Sequence, residues 1–308
     1  MIKKILLLTV LVFFFSHKEL FAEIKIIATV DNEIITNHDL KKESNYLKIL
    51  NPNFYQLDQN QRIKIAKNYL VDQIIKEKEA KKFINLENNN EIINNYIKNF
   101  IQKLGFNNEE EFEKSLNQIE NYSLLEIKEK IKMELLWNEL IYLKYNDQVK
   151  INKQQILNKV NEMQKNKKKE FLLSEIIFAK KKGVTVKKLF EEIILSIQEI
   201  GFNNTANIYS NSDSAKLGGK IGWISEISLA KSVKKGLEGK KKGEYTNLIK
   251  LGNNFLILKI EDIKIEDSAI DKQKEIEKLV KLERNSQLNK FSKIYFNKVK
   301  LNYLIDEK

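Results

Sequence analysis

The chain has 308 residues, 42% of them apolar and 31% charged, a balance that excludes both one small domain and a disordered polymer. Its formal charge of +12 comes from 54 basic residues scattered among 42 acidic ones, not from basic clusters interleaved with stacking aromatics, so no nucleic-acid partner is expected. Cysteine is absent and histidine occurs twice, at His17 and His38, which removes disulfides, thiolate chemistry and any zinc site of the usual ligands; no cofactor or metal is expected.

Residues 1–22 open with Met-Ile-Lys-Lys, continue through the apolar run Ile5 to Phe15 and close on Leu20-Phe21-Ala22. That is the order of a secretory signal, with cleavage expected after Ala22. The apolar run is too short to span a bilayer, which takes about 20 residues. An exported product with no cysteine for lipid attachment fits a soluble protein of a bacterial periplasm, without stable membrane insertion.

A single proline, Pro52, and 10 glycines predict long helices. Two β-branched runs around Asp31-Asn32, between Ile24 and Ile35, predict a hairpin. Thr36 or Asn37 then caps a helix starting near His38, with Asp39 well placed against the helix dipole. Apolar residues at helical spacing, among them Ile63, Ala66, Tyr69, Leu70, Ile74 and Ala80, predict a second helix over 58–83. A third runs over 90–104 and stops at Gly105, a fourth begins after Asn108 with three glutamates, and a fifth spans 124–145 with Ile127, Ile131, Leu135, Trp137 and Leu140 inward.

The basic stretch Lys165 to Lys169 marks a boundary, after which the pattern changes. Strands are predicted over 171–178 and 255–260, with a helix over 186–200 ending at Gly201 between them. A last helix is expected from Asp267 to about Phe296, followed by a strand-like segment over 299–304.

The ordered motifs resemble the periplasmic SurA-like chaperones that carry a parvulin-type (PpiC, rotamase) peptidyl-prolyl isomerase domain. The opening Ile27-Ala-Thr-Val-Asp-Asn-Glu-Ile-Ile-Thr-Asn-His-Asp-Leu40 is similar to that family's first segment. The parvulin-like stretch carries Ser174-Glu-Ile-Ile177, Tyr209-Ser210, Ser214-Ala-Lys-Leu-Gly-Gly-Lys-Ile-Gly-Trp223, Lys242-Gly-Glu-Tyr245 and Asn254-Phe-Leu-Ile-Leu-Lys-Ile260. Gly218, Gly219, Gly222 and Trp223 are the most specific part, read as a tight turn whose tryptophan fills a core.

The resemblance implies an α+β fold: a mainly helical chaperone module, built from the N-terminal helices and a returning C-terminal helix, with one inserted parvulin-like α+β domain. The implied organisation is a signal over 1–22, a helical domain over 23–166, the parvulin-like domain over 170–263 and a C-terminal helix and short strand over 266–308.

Isomerisation of an X-Pro bond faces a barrier of about 18–20 kcal/mol, set by amide resonance. The family's solution is an apolar proline pocket beside a polar network with two histidines and a cysteine or aspartate. Here the histidine positions fall on Glu175 and Leu256, and the third falls on Ser212, with Asp213 adjacent. The pocket positions read Leu229 and Val233, the latter expected to leave the pocket wider or collapsed. No histidine pair exists in the mature sequence, whatever the alignment.

The chain is therefore expected to be an energy-independent holdase for unfolded outer-membrane or other exported polypeptides, with a catalytically impaired parvulin-like domain. It has no phosphate loop of the Gly-x-x-x-x-Gly-Lys-Ser/Thr type. The alternatives are an active isomerase that uses Ser212, Asp213 or Glu175, and a structural envelope protein. His38, Glu191-Glu192 and Glu261-Asp262 are read as surface charges. Of the aromatics that client binding would use, including Phe54, Tyr55, Tyr96, Phe112 and Trp137, most are expected in the core.

Overall fold

A computed structural model describes residues 24–84, 90–116, 122–163, 168–266 and 271–308. The expected signal over 1–22, most of the boundary stretch and the expected start of the last helix at Asp267 lie outside the described residues.

The hairpin forms as β1 (Ile26–Val30) and β2 (Glu33–Thr36), turning at Asp31 with φ +51°. Thr36 caps α1 (Asn37–Leu50) in a reciprocal box: its hydroxyl accepts from Asp39 N–H at 3.2 Å, and the Asp39 carboxylate accepts from Thr36 N–H at 2.8 Å. Thr36→Ala is expected to cost about 1 kcal/mol of unfolding free energy, measured by urea titration, because the Asp39 N–H at the helix start loses its acceptor.

The same device starts α2 (Gln59–Lys81), through Asp58 and Gln61, and α5 (Leu124–Tyr145), through Ser123 and Glu126. Between them lie α3 (Asn90–Lys103), closed at Gly105 with φ +94°, and α4 (Glu109–Leu116). The inward stripe of α2 keeps Ala66 and Ala80 buried and Tyr69, Leu70 and Ile74 packed on the core as expected, adds Ile65, Val71 and Ile75, and leaves Ile63 exposed. In α5 Leu136 is buried in place of Leu135, which is only half-buried.

After α6 (Lys153–Met163), β3 (Lys168–Ala179) leads into α7 (Val186–Tyr209), β4 (Lys220–Ser225), α8 (Lys231–Leu237), β5 (Ile249–Leu251) and β6 (Asn254–Glu266). The expected end of α7 at Gly201 is a kink. Gly201 sits at φ +81°, and the helix resumes because Thr205 donates its hydroxyl back to Gly201 O at 2.9 Å. The four strands form an antiparallel sheet in the order β4-β3-β6-β5. One face packs Ile176, Phe178 and Ile257 against Leu189, Ile193, Phe202 and Ala206 of α7; the other packs Phe171, Leu173, Leu256 and Leu258 against Val233 and Leu237 of α8.

Then α9 (Lys272–Lys300) returns to the first helices, and β7 (Ile305–Glu307) pairs antiparallel with β1, completing a sheet in the order β2-β1-β7. The expected strand over 299–304 therefore lies later, because α9 continues through Val299, which is buried in the helical core. Along the way α9 packs Leu279 on Ile156 and Val160 of α6, forming a two-helix neck. The result is α+β, a helical module closed by the chain's own returning end and interrupted by a second layered domain.

The returning helix is fastened at Glu79, a buried carboxylate of α2 that accepts from Tyr295 Oη at 2.5 Å, Lys82 Nζ at 2.7 Å and Tyr303 Oη at 3.2 Å. Burial alone raises its pKa, but the three hydrogen bonds outweigh this and hold it below the ordinary value of 4.5. A depressed carboxylate contributes stability that is present above the unfolded pKa and lost as pH falls through the folded one. Glu79→Gln is expected to cost about 2 kcal/mol at neutral pH. The difference from the parent should shrink as both are titrated below pH 4.5 in urea melts, the ordinary value.

Candidate functional site

The six residues singled out at the isomerase-like site fall into two groups. Glu175 lies on β3 and Leu256 on β6; the register pairs Glu175 with Leu258 and Ile177 with Leu256, so both side chains share the sheet face that α8 covers. Leu256 is 5% exposed and packs with Val233, Leu237 and Ile249, with Leu229 half-buried at the margin. Val233 is itself buried. These apolar positions thus share one cluster on that face.

Glu175 anchors the polar group. Its Oε1 accepts from Ser212 Oγ in a short contact and from Ser214 Oγ at 2.9 Å, while the two hydroxyls lie 3.1 Å apart. Ser212 also caps the short 3-10 turn Asp213–Leu217, and Ser210 ties this loop to the sheet by accepting from Ile177 N–H at 3.0 Å. Two hydroxyl donors thus occupy one carboxylate oxygen. Asp213, by contrast, is exposed; its charge helps to raise the pKa of Tyr69 on α2, after burial as the larger cause.

The Gly-Gly turn makes this geometry possible. Gly218 and Gly219 adopt φ +67° and +82°, and Gly219 O accepts from Glu175 N–H at 2.7 Å. A Cβ on Gly219 would come within 2.4 Å of Glu175 O. Trp223 departs from expectation: it is 43% exposed, because the register sets it beside Leu172, on the face opposite Phe171 and its partner Ile224, which packs inward. Glu261 is also not a simple surface charge, since it accepts from Ser174 Oγ at 2.8 Å and pairs with Lys259 at 2.8 Å.

The loop beside this site is docked on the helical module. Asn51, at the end of α1, donates to Asn207 Oδ1 at 2.6 Å and lies 3.4 Å from Asn204 Oδ1; Asn207 in turn donates to Ala215 O at 2.6 Å. All three asparagines are buried. Lys216 pairs with Glu134 of α5: burial opposes both charges, yet the partner outweighs it, lowering the Glu134 pKa and raising that of Lys216. Sequence reasoning missed Ser214 and this asparagine joint. Ser214 stood in the quoted motif at a spacing of two from Ser212, whereas Asn203-Asn204 and Asn207 were hidden in a chain rich in asparagine.

Residues 156–262 match the Rotamase family, the PPIC-type PPIase domain. No curated protein matches the chain. Among solved structures, the chain is similar to that reported for PEB4 and Cj1289, two SurA-like chaperones of Campylobacter jejuni, at 15% identity over 92% of this chain and 98% of the other, with a TM-score of 0.34. PrsA from Bacillus subtilis is similar at 21% identity over 89% of this chain and 91% of its own, with a TM-score of 0.31. A PpiC-type isomerase domain is similar at 23% identity over 33% of this chain and 96% of the other, with a TM-score of 0.29. The chain thus carries a parvulin-type domain, as its motifs indicate, within a mainly helical fold.

Proposed function

We propose that the chain is an ATP-independent holdase of the periplasm that shields unfolded outer-membrane or other exported polypeptides, and that its parvulin-type domain has lost most isomerase activity. On this reading residues 23–166 and 266–308 form the chaperone module, 170–263 the inserted domain and 1–22 the export signal. The observation that carries it is the fate of the two histidine positions. Leu256 is sealed among aliphatic side chains, and Glu175 is occupied by Ser212 and Ser214, so neither offers an imidazole to a twisting amide. An unfolded barrel precursor exposes apolar faces and unpaired strand edges, which a binder must cover. Tyr55, Phe83, Tyr96 and Leu143 are large apolar side chains left exposed on the helical module for that role, while Phe54, Phe112 and Trp137 are core. No helix among the described residues is long and apolar enough to cross a membrane.

The match of residues 156–262 to an isomerase domain favours a second reading, an active enzyme with a rearranged polar group around Glu175. A protease-coupled proline-peptide assay separates the two. The holdase reading expects the uncatalysed rate. Saturable acceleration that disappears in Ser212→Ala/Asp213→Ala would establish the enzyme.

A further inference from the structure

One end of the parvulin-type domain has an unbalanced charge. Across the sheet, Ala179 of β3 is paired with Asn254 of β6, and Asn254 with Leu251 of β5, so the loop after β3 and the tip of the β5–β6 hairpin leave from the same edge. Val184 and Leu189 pack in one cluster with Phe178 and Phe255, which brings the start of α7 to that edge as well. These segments carry Lys180, Lys181, Lys182, Lys187, Lys188 and Lys250, all exposed, and residues 179–190 and 245–260 contain no acidic residue.

Among the described residues, only Lys187 of the six faces a carboxylate, Glu191 at 3.9 Å, while Lys181 lies over the Tyr209 ring at 5.6 Å. Lys187 and Lys188 occupy the first turn of α7, which holds no acidic residue, although the helix dipole favours negative charge there. A charge set placed against the local electrostatic preference points to a role outside folding. In the middle of this basic edge Leu251 is 40% exposed, beside the exposed tip Gly252-Asn253.

We propose that this edge is a docking surface for an anionic phospholipid bilayer. Lysine ammonium groups at the end of long apolar stems suit a diffuse anionic surface, reaching the headgroups while Leu251 enters the interface. An acidic polypeptide would satisfy the lysines but gives no place to an apolar residue at the projecting tip. The surface is separate from the Glu175 group and does not depend on the holdase reading.

The test is co-sedimentation of the purified chain, lacking only residues 1–22, with vesicles of phosphatidylcholine alone or of two parts phosphatidylcholine to one part phosphatidylglycerol. Binding to the anionic vesicles alone, weakened by salt, is expected. The variant Lys180→Gln/Lys181→Gln/Lys182→Gln/Lys250→Gln should bind on the order of a hundredfold more weakly. A control with the same charge change elsewhere, Lys64→Gln/Lys98→Gln/Lys103→Gln/Lys281→Gln, should retain most of the binding. Leu251→Ser should weaken binding with no change in its salt dependence. Unchanged circular dichroism and melting of each variant would exclude misfolding as the cause. Equal loss in both lysine variants would reduce the effect to net charge and overturn the proposal. Binding to polyglutamate with none to the anionic vesicles would overturn it in favour of an acidic polypeptide.

Discussion

Trp137→Ala is expected to lower the unfolding free energy of the helical module by about 4 kcal/mol, the cost of emptying a large aromatic site that cannot collapse. Trp137 is one of two aromatic residues of α5 that hold α9, the other being Tyr145, which stacks on Phe291 at 5.0 Å. The Trp137 ring stacks on Tyr295 at 5.8 Å, meets Phe296 edge-on at 6.1 Å, and donates Nε1–H to Ser292 Oγ at 2.8 Å. All three partners lie on the returning helix, so the truncation removes a large aromatic contact between α5 and α9. Trp137→Phe keeps a ring in the site and forfeits the hydrogen bond, so its cost should be smaller, about 1–2 kcal/mol. Urea titration followed by circular dichroism measures both. Equal, small losses would mean that α9 is held elsewhere, through Glu79 and the β1–β7 pairing.

Gly219→Ala is expected to destabilise the parvulin-type domain by about 4 kcal/mol, summing backbone strain and a steric clash. The residue sits at φ +82°, and the added Cβ would meet Glu175 O at 2.4 Å and Ala206 Cβ at 3.1 Å. Neither neighbour can move easily, since Glu175 is in the central β3 ladder and Ala206 is buried in α7. Gly222→Ala separates the two contributions: its φ is +86° but nothing lies within 4 Å of its Cβ, so strain alone should cost about 1–2 kcal/mol. The chain has two tryptophans, Trp137 in the helical module and Trp223 on β4, and in a Trp137→Phe background the fluorescence of Trp223 reports this domain. Similar costs for both glycine variants would show that the close approach at Gly219 relaxes freely.

The helical elements were legible where local chemistry set them. Thr36, Asn108 and Gly105 mark helix ends by capping and by left-handed backbone, both short-range effects, and the structure places them there. Apolar spacing located α2 and most of its inward stripe but not its first turns, because Ile63 and Ile65 are equivalent in hydropathy and only the neighbours in space choose between them. Gly201 signalled a break but not the resumption of α7, which relies on Thr205 and on burial of Phe202 and Ala206 against the sheet. The exposure of Trp223 follows from its pairing with Leu172, a matter of strand register that its own motif does not carry.

The loss of the histidines at the candidate site needed only a count. The arrangement around Glu175 did not follow from it, since Ser212 and Ser214 reach the carboxylate only after the Gly-Gly turn brings their loop across β3. Exposed Asp213 shows the same limit: adjacency in sequence to Ser212 does not bring its side chain to the site. The joint made by Asn51, Asn204 and Asn207 lies furthest from sequence inspection, for Asn51 stands 153 and 156 positions before its two partners and no periodicity connects it to them.

In the proposed function, apolar shielding persists where the imidazole positions are lost. Light scattering tests it when a urea-unfolded outer-membrane porin is diluted into nucleotide-free buffer with rising amounts of the chain. The account predicts that aggregation falls steadily, reaches its floor near stoichiometric amounts and does so equally well with Glu175→Ala/Ser212→Ala. Aggregation that proceeds unchanged in a large excess of folded chain would contradict it.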